Sequence, residues 1–153
     1  MTTTDALWWQ SVTMSALLRA AFRAYGDVVR TAVQEAGFDD LPRNGAYVLG
    51  ATARNALTMQ QLPSALGVTK QAFSQLVDAL VTRGYVERRP DPDDRRRLLL
   101  ALTDRGEAAA ELIADCAART EATLRESVDA ADVATTRRVL AAMTAIPSDL
   151  GVP

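Results

Sequence analysis

The chain has 153 residues and a mass of 16.5 kDa, a size typical of one domain or one compact subunit. Its 17 basic and 19 acidic side chains give a net charge of −2, and 48% of its residues are hydrophobic, as in ordinary globular proteins. No apolar run approaches the roughly 20 residues of a membrane-spanning helix, and no secretory signal pattern opens the chain. We therefore expect a cytoplasmic protein.

The residue types leave little room for enzyme chemistry. The sequence contains no histidine and one cysteine, Cys116, which removes nearly every zinc site and the nucleophile–base pairs that use histidine. It also lacks a glycine-rich phosphate loop. We expect no enzyme activity, no cofactor, no metal site and an inert, buried Cys116. A small enzyme is the weaker alternative, which turnover or a bound cofactor in the purified protein would favour.

Hydrophobic periodicity predicts helices in the first part of the chain. Apolar residues recur every three or four positions from Leu7 to Ala36, which indicates one long amphipathic helix. A second helix is predicted from Pro42 to Ala53, because proline suits the first helical position. Thr58–Gln61 has the pattern of a capping box that opens a short helix ending at Gly67, and Pro63 predicts that this helix is bent or begins late.

The next segment predicts a second helix close behind a turn, and then a β-hairpin. Thr69 is the predicted N-cap of a helix that reaches Arg83, and Gly84 ends it. Short β-prone runs at Tyr85–Arg89 and Arg97–Leu102 flank a turn-rich tip.

Two more helices complete the predicted order. A long alanine-rich helix, capped by Thr103, extends to about Val128. Asp129 is the predicted cap of a last helix, which ends before Pro147.

The helix after the turn has a polar face and an apolar face. At 100° per residue, one 100° arc holds Gln71, Ser74, Gln75, Asp78 and Thr82, and the opposite side holds Ala72, Phe73, Leu76, Val77, Leu80 and Val81. Glutamine, serine and lysine side chains recognise base edges, and the exposed amides near Thr69 and Lys70 suit a phosphate oxygen. Asp78 would repel phosphates, so we expect it deeper in a DNA groove or facing the hairpin. A plain surface helix is the alternative interpretation.

The hairpin concentrates charge. Residues 69–105 hold eight basic and six acidic side chains, although the whole chain is net negative. An arginine at the tip suits the narrow minor groove of DNA, and Asp94 is placed two residues before Arg96 to orient its guanidinium group. A solvated charged turn is the alternative. A polar helix followed by a basic hairpin is the layout of a winged helix-turn-helix.

Four linked motifs make the chain resemble the MarR family of bacterial transcriptional regulators. They are Leu66–Gln71, Arg83–Arg88, Asp91–Arg96 and Leu102–Gly106, and the family's signature of Arg, five residues, Asp, any residue and Arg falls on Arg88, Asp94 and Arg96. The resemblance implies a mainly α fold, with a winged helix-turn-helix lobe, a two-stranded wing and a helical dimerisation region built from both termini. The implied ranges are 1–36 for the first dimerisation helix, 37–105 for the DNA-binding lobe (recognition helix about 69–83, wing about 85–102) and 106–153 for the last dimerisation helices.

The resemblance also implies a function. We expect a homodimeric repressor that binds a pseudo-palindromic operator in double-stranded DNA, with half-sites about 10 base pairs apart. The residues implied to read or anchor the major groove are Thr69, Lys70, Gln71, Ser74 and Gln75. Arg96, oriented by Asp94, is expected in the minor groove, and Arg95 and Arg88 support the backbone contact. A winged helix that binds protein instead of DNA is the alternative, since fold does not decide function.

Both termini carry more apolar surface than a small lobe needs, which a subunit interface explains. The residues are Trp8, Trp9, Leu17, Leu18 and Phe22 near one end and Leu140, Met143 and Ile146 near the other. Many relatives release DNA when a small aromatic or phenolic effector binds. The candidate ligand-binding residues are Trp9, Arg19, Phe22, Arg23 and Tyr25, with an ordinary core as the alternative for the aromatic ones.

Overall fold

A computed structural model describes residues 5–54, 60–91 and 98–146 of the chain. The elements in chain order are a 3-10 helix at Asp5–Ser11, α1 at Met14–Glu35, α2 at Gly45–Ala53, α3 at Leu62–Leu66, α4 at Lys70–Thr82, β1 at Val86–Pro90, β2 at Leu98–Leu102, α5 at Asp104–Ser127 and α6 at Ala130–Met143. The predicted order of helices, with a helix-turn-helix followed by a hairpin, is confirmed.

The chain divides into two compact units, Met1–Ala117 and Ala118–Pro153. The first contains the hydrophobic core, to which α2, α3, α4, β1 and α5 each contribute side chains: Val48, Leu49, Ala51, Leu62, Phe73, Val77, Leu80, Tyr85, Val86, Ala109 and Ala110. Cys116 is buried, as predicted. In the second unit, Glu121 accepts a hydrogen bond from Arg137 at 2.6 Å. In the part of the chain that the structure describes, no helix has the length and apolar character needed to cross a lipid bilayer.

The prediction of one continuous first helix was wrong. The chain forms a short 3-10 helix and then leaves helical geometry at Thr13, whose φ of −63° and ψ of 147° are those of extended backbone. The Thr13 hydroxyl accepts a hydrogen bond from the Ala16 amide, at 3.4 Å, and so caps the start of α1. A threonine that caps a new helix in this way ends the helix before it. The spacing of apolar residues does not reveal such a break.

The predicted start of the second helix was also wrong. Pro42 does not occupy the first helical position, because Pro42 and Asn44 belong to a turn that the Gly45 amide closes on the Pro42 carbonyl at 2.8 Å. Asn44 then has a φ of 67°, a conformation that asparagine tolerates better than most residues. The late start predicted for the third helix is confirmed, since Pro63 lies in its first turn, where its missing amide hydrogen costs little. Thr58 and Met59 of the predicted capping box lie outside the described residues.

The hairpin is antiparallel, with Val86 opposite Leu102 and Pro90 opposite Leu98. At its base, Thr103 caps α5 by accepting a hydrogen bond from the Gly106 amide at 3.1 Å. Asp129 lies at the predicted N-cap of α6, but its side chain makes no capping hydrogen bond. The three-part domain division expected from the sequence stays a prediction.

Candidate nucleic-acid interface

Helix α4 presents the polar face that the sequence predicts. Phe73, Val77 and Leu80 are buried in the core, spaced so that they lie on one side of the helix. The side chains on the polar arc and at the N-terminus are exposed, and they include all five predicted major-groove residues: Thr69, Lys70, Gln71, Ser74 and Gln75. The burial of one face therefore leaves these side chains on the exposed face of the helix.

The N-terminus of α4 is built by Thr69. Its backbone is extended, with φ −67° and ψ 156°, and its hydroxyl accepts a hydrogen bond from the Ala72 amide at 3.1 Å. Other amides in this first turn have no partner within the helix and carry the positive end of the helix dipole. Lys70, whose side chain is exposed, is the first residue of the helix, and a helix N-terminus with a basic residue suits a phosphate oxygen.

An ion pair joins α4 to the hairpin. The Arg88 guanidinium in β1 donates to the Asp78 carboxylate in α4 at 2.6 Å, and the two side chains are 39% and 59% exposed. Of the two placements expected for Asp78, the structure has the one facing the hairpin. The pair neutralises a carboxylate that would otherwise repel DNA, and it brings a basic strand beside the polar face of α4.

The wing predictions fall partly outside the described residues. Asp94, Arg95 and Arg96 all lie in the range 92–97, which the structure does not describe. In β1, Arg89 is exposed and its Nε donates to Glu87 at 2.5 Å. In the described part of the hairpin, Arg88 thus pairs with Asp78 of α4, and Arg89 pairs with Glu87 of its own strand.

Sequence reasoning missed a polar cluster at the base of the hairpin, which we call the Asp40 cluster: Asp40, Arg83, Tyr85 and Arg105. Asp40 Oδ1 accepts hydrogen bonds from the Tyr85 hydroxyl at 2.5 Å and from Arg105 Nη2 at 2.8 Å. Arg105 Nη1 donates to the Arg83 carbonyl at 2.7 Å and lies 3.3 Å from Asp40 Oδ2. Arg83 in turn donates to the Asp40 carbonyl. No periodicity relates these positions, so no pattern in the sequence indicates the cluster.

The cluster shifts the acidity of two of its members. The hydrogen bond from Tyr85, followed by those from Arg105, lowers the pKa of Asp40 below its usual value. Burial, followed by the hydrogen bond to Asp40, raises the pKa of Tyr85 to about 12. Tyr85 is fully buried, and the Arg105 guanidinium lies 4.3 Å from the centre of its ring, which makes a cation–π contact in addition to the hydrogen bonds.

The candidate effector residues lie on α1 and just before it, and all five are exposed: Trp9, Arg19, Phe22, Arg23 and Tyr25. Arg19 and Arg23 are one helical turn apart and line a shallow depression with Ser15. Among the residues that the structure describes, those lining this depression belong to α1. Trp9, Phe22 and Tyr25 are not part of it. Within the described ranges, no group of three His, Cys, Asp or Glu side chains is arranged to hold a metal ion.

Sequence comparison places residues 39–97 in a known family. A sequence model described as "MarR family" matches residues 39–97. An uncharacterized protein of Mycobacterium tuberculosis is 34% identical over 96 residues, which cover 63% of this chain and 67% of the relative. The multiple antibiotic resistance protein MarR of Escherichia coli is 40% identical over 55 residues, which cover 36% of this chain and 38% of that protein.

Solved structures agree with the sequence match. The reduced form of E. coli MarR superposes with a TM-score of 0.64 at 25% identity, covering 86% of this chain and 96% of that one. MepR of S. aureus in complex with DNA has the same fold, with a TM-score of 0.69 at 21% identity over 87% of this chain and 97% of that one. The predicted fold class, mainly α with a two-stranded wing, is confirmed. The chain belongs to the MarR family of winged-helix transcriptional regulators.

Proposed function

We propose that the chain is a sequence-specific DNA-binding regulator that reads a pseudo-palindromic operator as a homodimer. The observation that carries this proposal is the contact between Asp78 and Arg88 at 2.6 Å. It brings the exposed polar face of α4 and the basic strand β1 together on one surface. Major-groove recognition by a helix and backbone or minor-groove contact by a wing require these two elements side by side.

In this proposal each element has a separate task. Thr69 and Lys70 anchor α4 to a phosphate, while Gln71, Ser74 and Gln75 meet base edges in the major groove. Arg96, oriented by Asp94, enters the adjacent minor groove, and Arg95 and Arg88 contact the backbone. Half-sites then lie about 10 base pairs apart, one helical turn of DNA. We propose repression as the mode of action, because a dimer covering two adjacent turns of promoter DNA excludes other proteins from them.

Exposed apolar side chains support the homodimer. In the first unit Trp8, Trp9 and Phe22 are 58%, 48% and 76% exposed. In the second unit Leu140 and Ile146 are 40% and 51% exposed. Large apolar side chains exposed to this extent are typical of surfaces that a partner covers. A twofold dimer would also match the symmetry of a pseudo-palindromic operator.

Side chains on α1 support regulation by a small molecule. Arg19 and Arg23 place two positive charges one turn apart, and Phe22 and Tyr25 expose aromatic rings on the same helix. A small aromatic or phenolic compound, whose ring stacks and whose oxygen accepts hydrogen bonds, suits this combination with Trp9 nearby in sequence. We propose that such an effector releases the protein from DNA.

A titration tests the proposal. The purified protein is mixed with DNA flanking its own gene at two salt concentrations, with random DNA of equal length as the control. We expect tight, selective binding to the flanking DNA that weakens steeply as the salt concentration rises. Absence of binding to both DNAs at low salt would contradict the proposal. That result would favour a protein-binding winged helix, which the exposed Leu98 and Leu99 of β2 would suit.

A further inference from the structure

Asp40 lies in the turn between α1 and α2 and contacts three segments that come together at the base of the hairpin. Its carboxylate accepts from Tyr85, the residue before β1, and from Arg105, the second residue of α5. Its carbonyl accepts from Arg83, which caps the end of α4. One aspartate thus holds the end of the recognition helix, the start of the wing and the start of the helix after the wing.

The other strand of the hairpin is held at the same place. The Thr103 hydroxyl, directly after β2, donates to the Gly84 carbonyl at 2.5 Å. The Thr103 amide donates to the Tyr85 carbonyl at 3.2 Å. The two strands of the hairpin are therefore both fixed at its base. Asp40 reaches this base from the turn between α1 and α2, outside α4, the hairpin and α5.

We infer that Asp40 is a positioning residue for DNA recognition, which sets the direction in which the wing leaves α4. This inference rests on the proposed function. A strand of five residues, the length of β1, is about 17 Å long, so a rotation of about 10° at its base moves the tip by about 3 Å. A displacement of that size separates a donor from its acceptor, because hydrogen bonds need heavy-atom distances near 3 Å. The geometry at Asp40 therefore decides whether wing and helix fit adjacent grooves together.

The contribution of Asp40 to overall stability is expected to be smaller than its effect on recognition. Its side chain is 40% exposed and that of Arg105 is 39% exposed, and ion pairs at such positions stabilise proteins little. The apolar core formed by α2, α3, α4, β1 and α5 does not include the carboxylate. Loss of the carboxylate should therefore loosen the wing while the lobe stays folded.

The test compares D40N with D27N, a matched control. Asp27 on α1 is 50% exposed and pairs with Arg30 at 2.6 Å, so both variants lose one exposed, paired negative charge in the same unit. The probe is DNA that the wild-type protein enriches from a randomised double-stranded library, with unselected random DNA beside it. Binding is measured for both DNAs, and footprinting resolves the protected positions in each groove.

We expect D40N to bind the enriched DNA at least tenfold more weakly than D27N, with little difference between the variants on random DNA. Protection should be lost in the minor groove and kept in the major groove, a split that general destabilisation does not produce. The melting temperature of D40N should stay within about 5 °C of that of D27N. R105K, which keeps the charge but loses the forked geometry, should show the same split. It provides the second test in the event that D40N does not fold.

Equal affinities of D40N and D27N for the enriched DNA would overturn the inference. So would an equal loss of protection in both grooves with a much lower melting temperature, since Asp40 would then act only in folding. Failure of the wild-type protein to enrich any sequence would instead overturn the proposed function, and the inference with it. The two failures are therefore distinguishable.

Discussion

The rings of Phe38 and Tyr85 lie 6.2 Å apart with an angle of 52° between their planes, and each ring follows a helix that ends in the same way. After α1, the Phe38 amide donates to the Val33 carbonyl at 2.8 Å, and after α4 the Tyr85 amide donates to the Leu80 carbonyl at 2.9 Å. These are the six-to-one hydrogen bonds of Schellman motifs.

A glycine with positive φ precedes each ring, Gly37 at 84° and Gly84 at 71°. This conformation turns the chain sharply at the end of the helix, at a position where a Cβ atom would be strained. In each case the aromatic residue directly after the glycine supplies the amide of the six-to-one hydrogen bond. The meeting of the two rings joins the end of α1 to the end of α4.

Gly106 should tolerate no side chain. A Cβ atom at this position would lie 1.9 Å from the Tyr85 carbonyl oxygen, so α5 and the hairpin base would have to move apart. We expect Gly106→Ala to lower the free energy of unfolding by about 1–3 kcal/mol, measured by urea denaturation. Gly26→Ala is the control, because Gly26 lies within α1 and, apart from its chain neighbours and the backbone of its own helix, no atom of the described residues lies within 4 Å of the added carbon. That variant should stabilise the protein by up to about 1 kcal/mol. Equal effects of the two substitutions would refute the close-packing argument.

Tyr85 should make stability depend on alkaline pH. Because the pKa of Tyr85 is raised from 10.0 to about 12 in the folded protein, the unfolded chain releases this proton first as the pH rises. The stabilisation is fully present below pH 10 and is lost progressively up to about pH 12. The slope for one proton is at most about 1.4 kcal/mol per pH unit.

Tyr85→Phe is the variant that checks this pH dependence. It should cost about 1–2 kcal/mol at neutral pH through the lost hydrogen bond, and it should unfold with a flatter pH profile between pH 10 and 12. Urea denaturation of both proteins from pH 8 to pH 12 measures the difference. Parallel profiles would show that the tyrosine proton does not contribute.

Gln75 should carry base-specific binding energy. Gln75→Ala is expected to weaken binding by about 1–3 kcal/mol on the DNA that the wild-type protein enriches, with relaxed preference at one base position. Binding to a set of single-base variants of that DNA locates the position. Gln34→Ala on α1 removes another exposed glutamine and should leave affinity unchanged. A uniform loss at every base position would argue against direct readout by Gln75.

Arg96 should contribute a minor-groove contact. We expect Arg96→Ala to weaken binding to the enriched DNA by several-fold to about a hundredfold. Arg89→Ala is the charge-matched control in the same hairpin, because Arg89 pairs with Glu87 within its own strand. The comparison uses equilibrium titration at fixed salt. Similar losses for both variants would indicate a general charge effect in place of an inserted side chain.

Local signals predicted most of helix α4. Thr69 and Gly84 mark its two ends because a hydroxyl that accepts an amide and a residue that adopts positive φ act over a few residues. The same reasoning failed at Thr13, where a cap interrupts an unbroken apolar pattern, and at Pro42, where a turn before Gly45 replaces the helix start. In both cases two local signals favoured different backbone conformations. Neither the spacing of apolar residues nor the composition shows which conformation the chain adopts.

The sequence by itself therefore determined the order of the elements, the polar face of α4 and the resemblance to the family, since these depend on helical periodicity, caps and contiguous motifs. Only the tertiary structure decided that Asp78 pairs with Arg88 and that Asp40 meets Arg105 across 65 residues of chain. Hydrogen bonds and ion pairs require their atoms within about 3 Å, and that precision arises from how helices and strands pack. Such pairings produce no periodic pattern in the sequence. The Asp40 cluster at the base of the wing is therefore visible only in the structure.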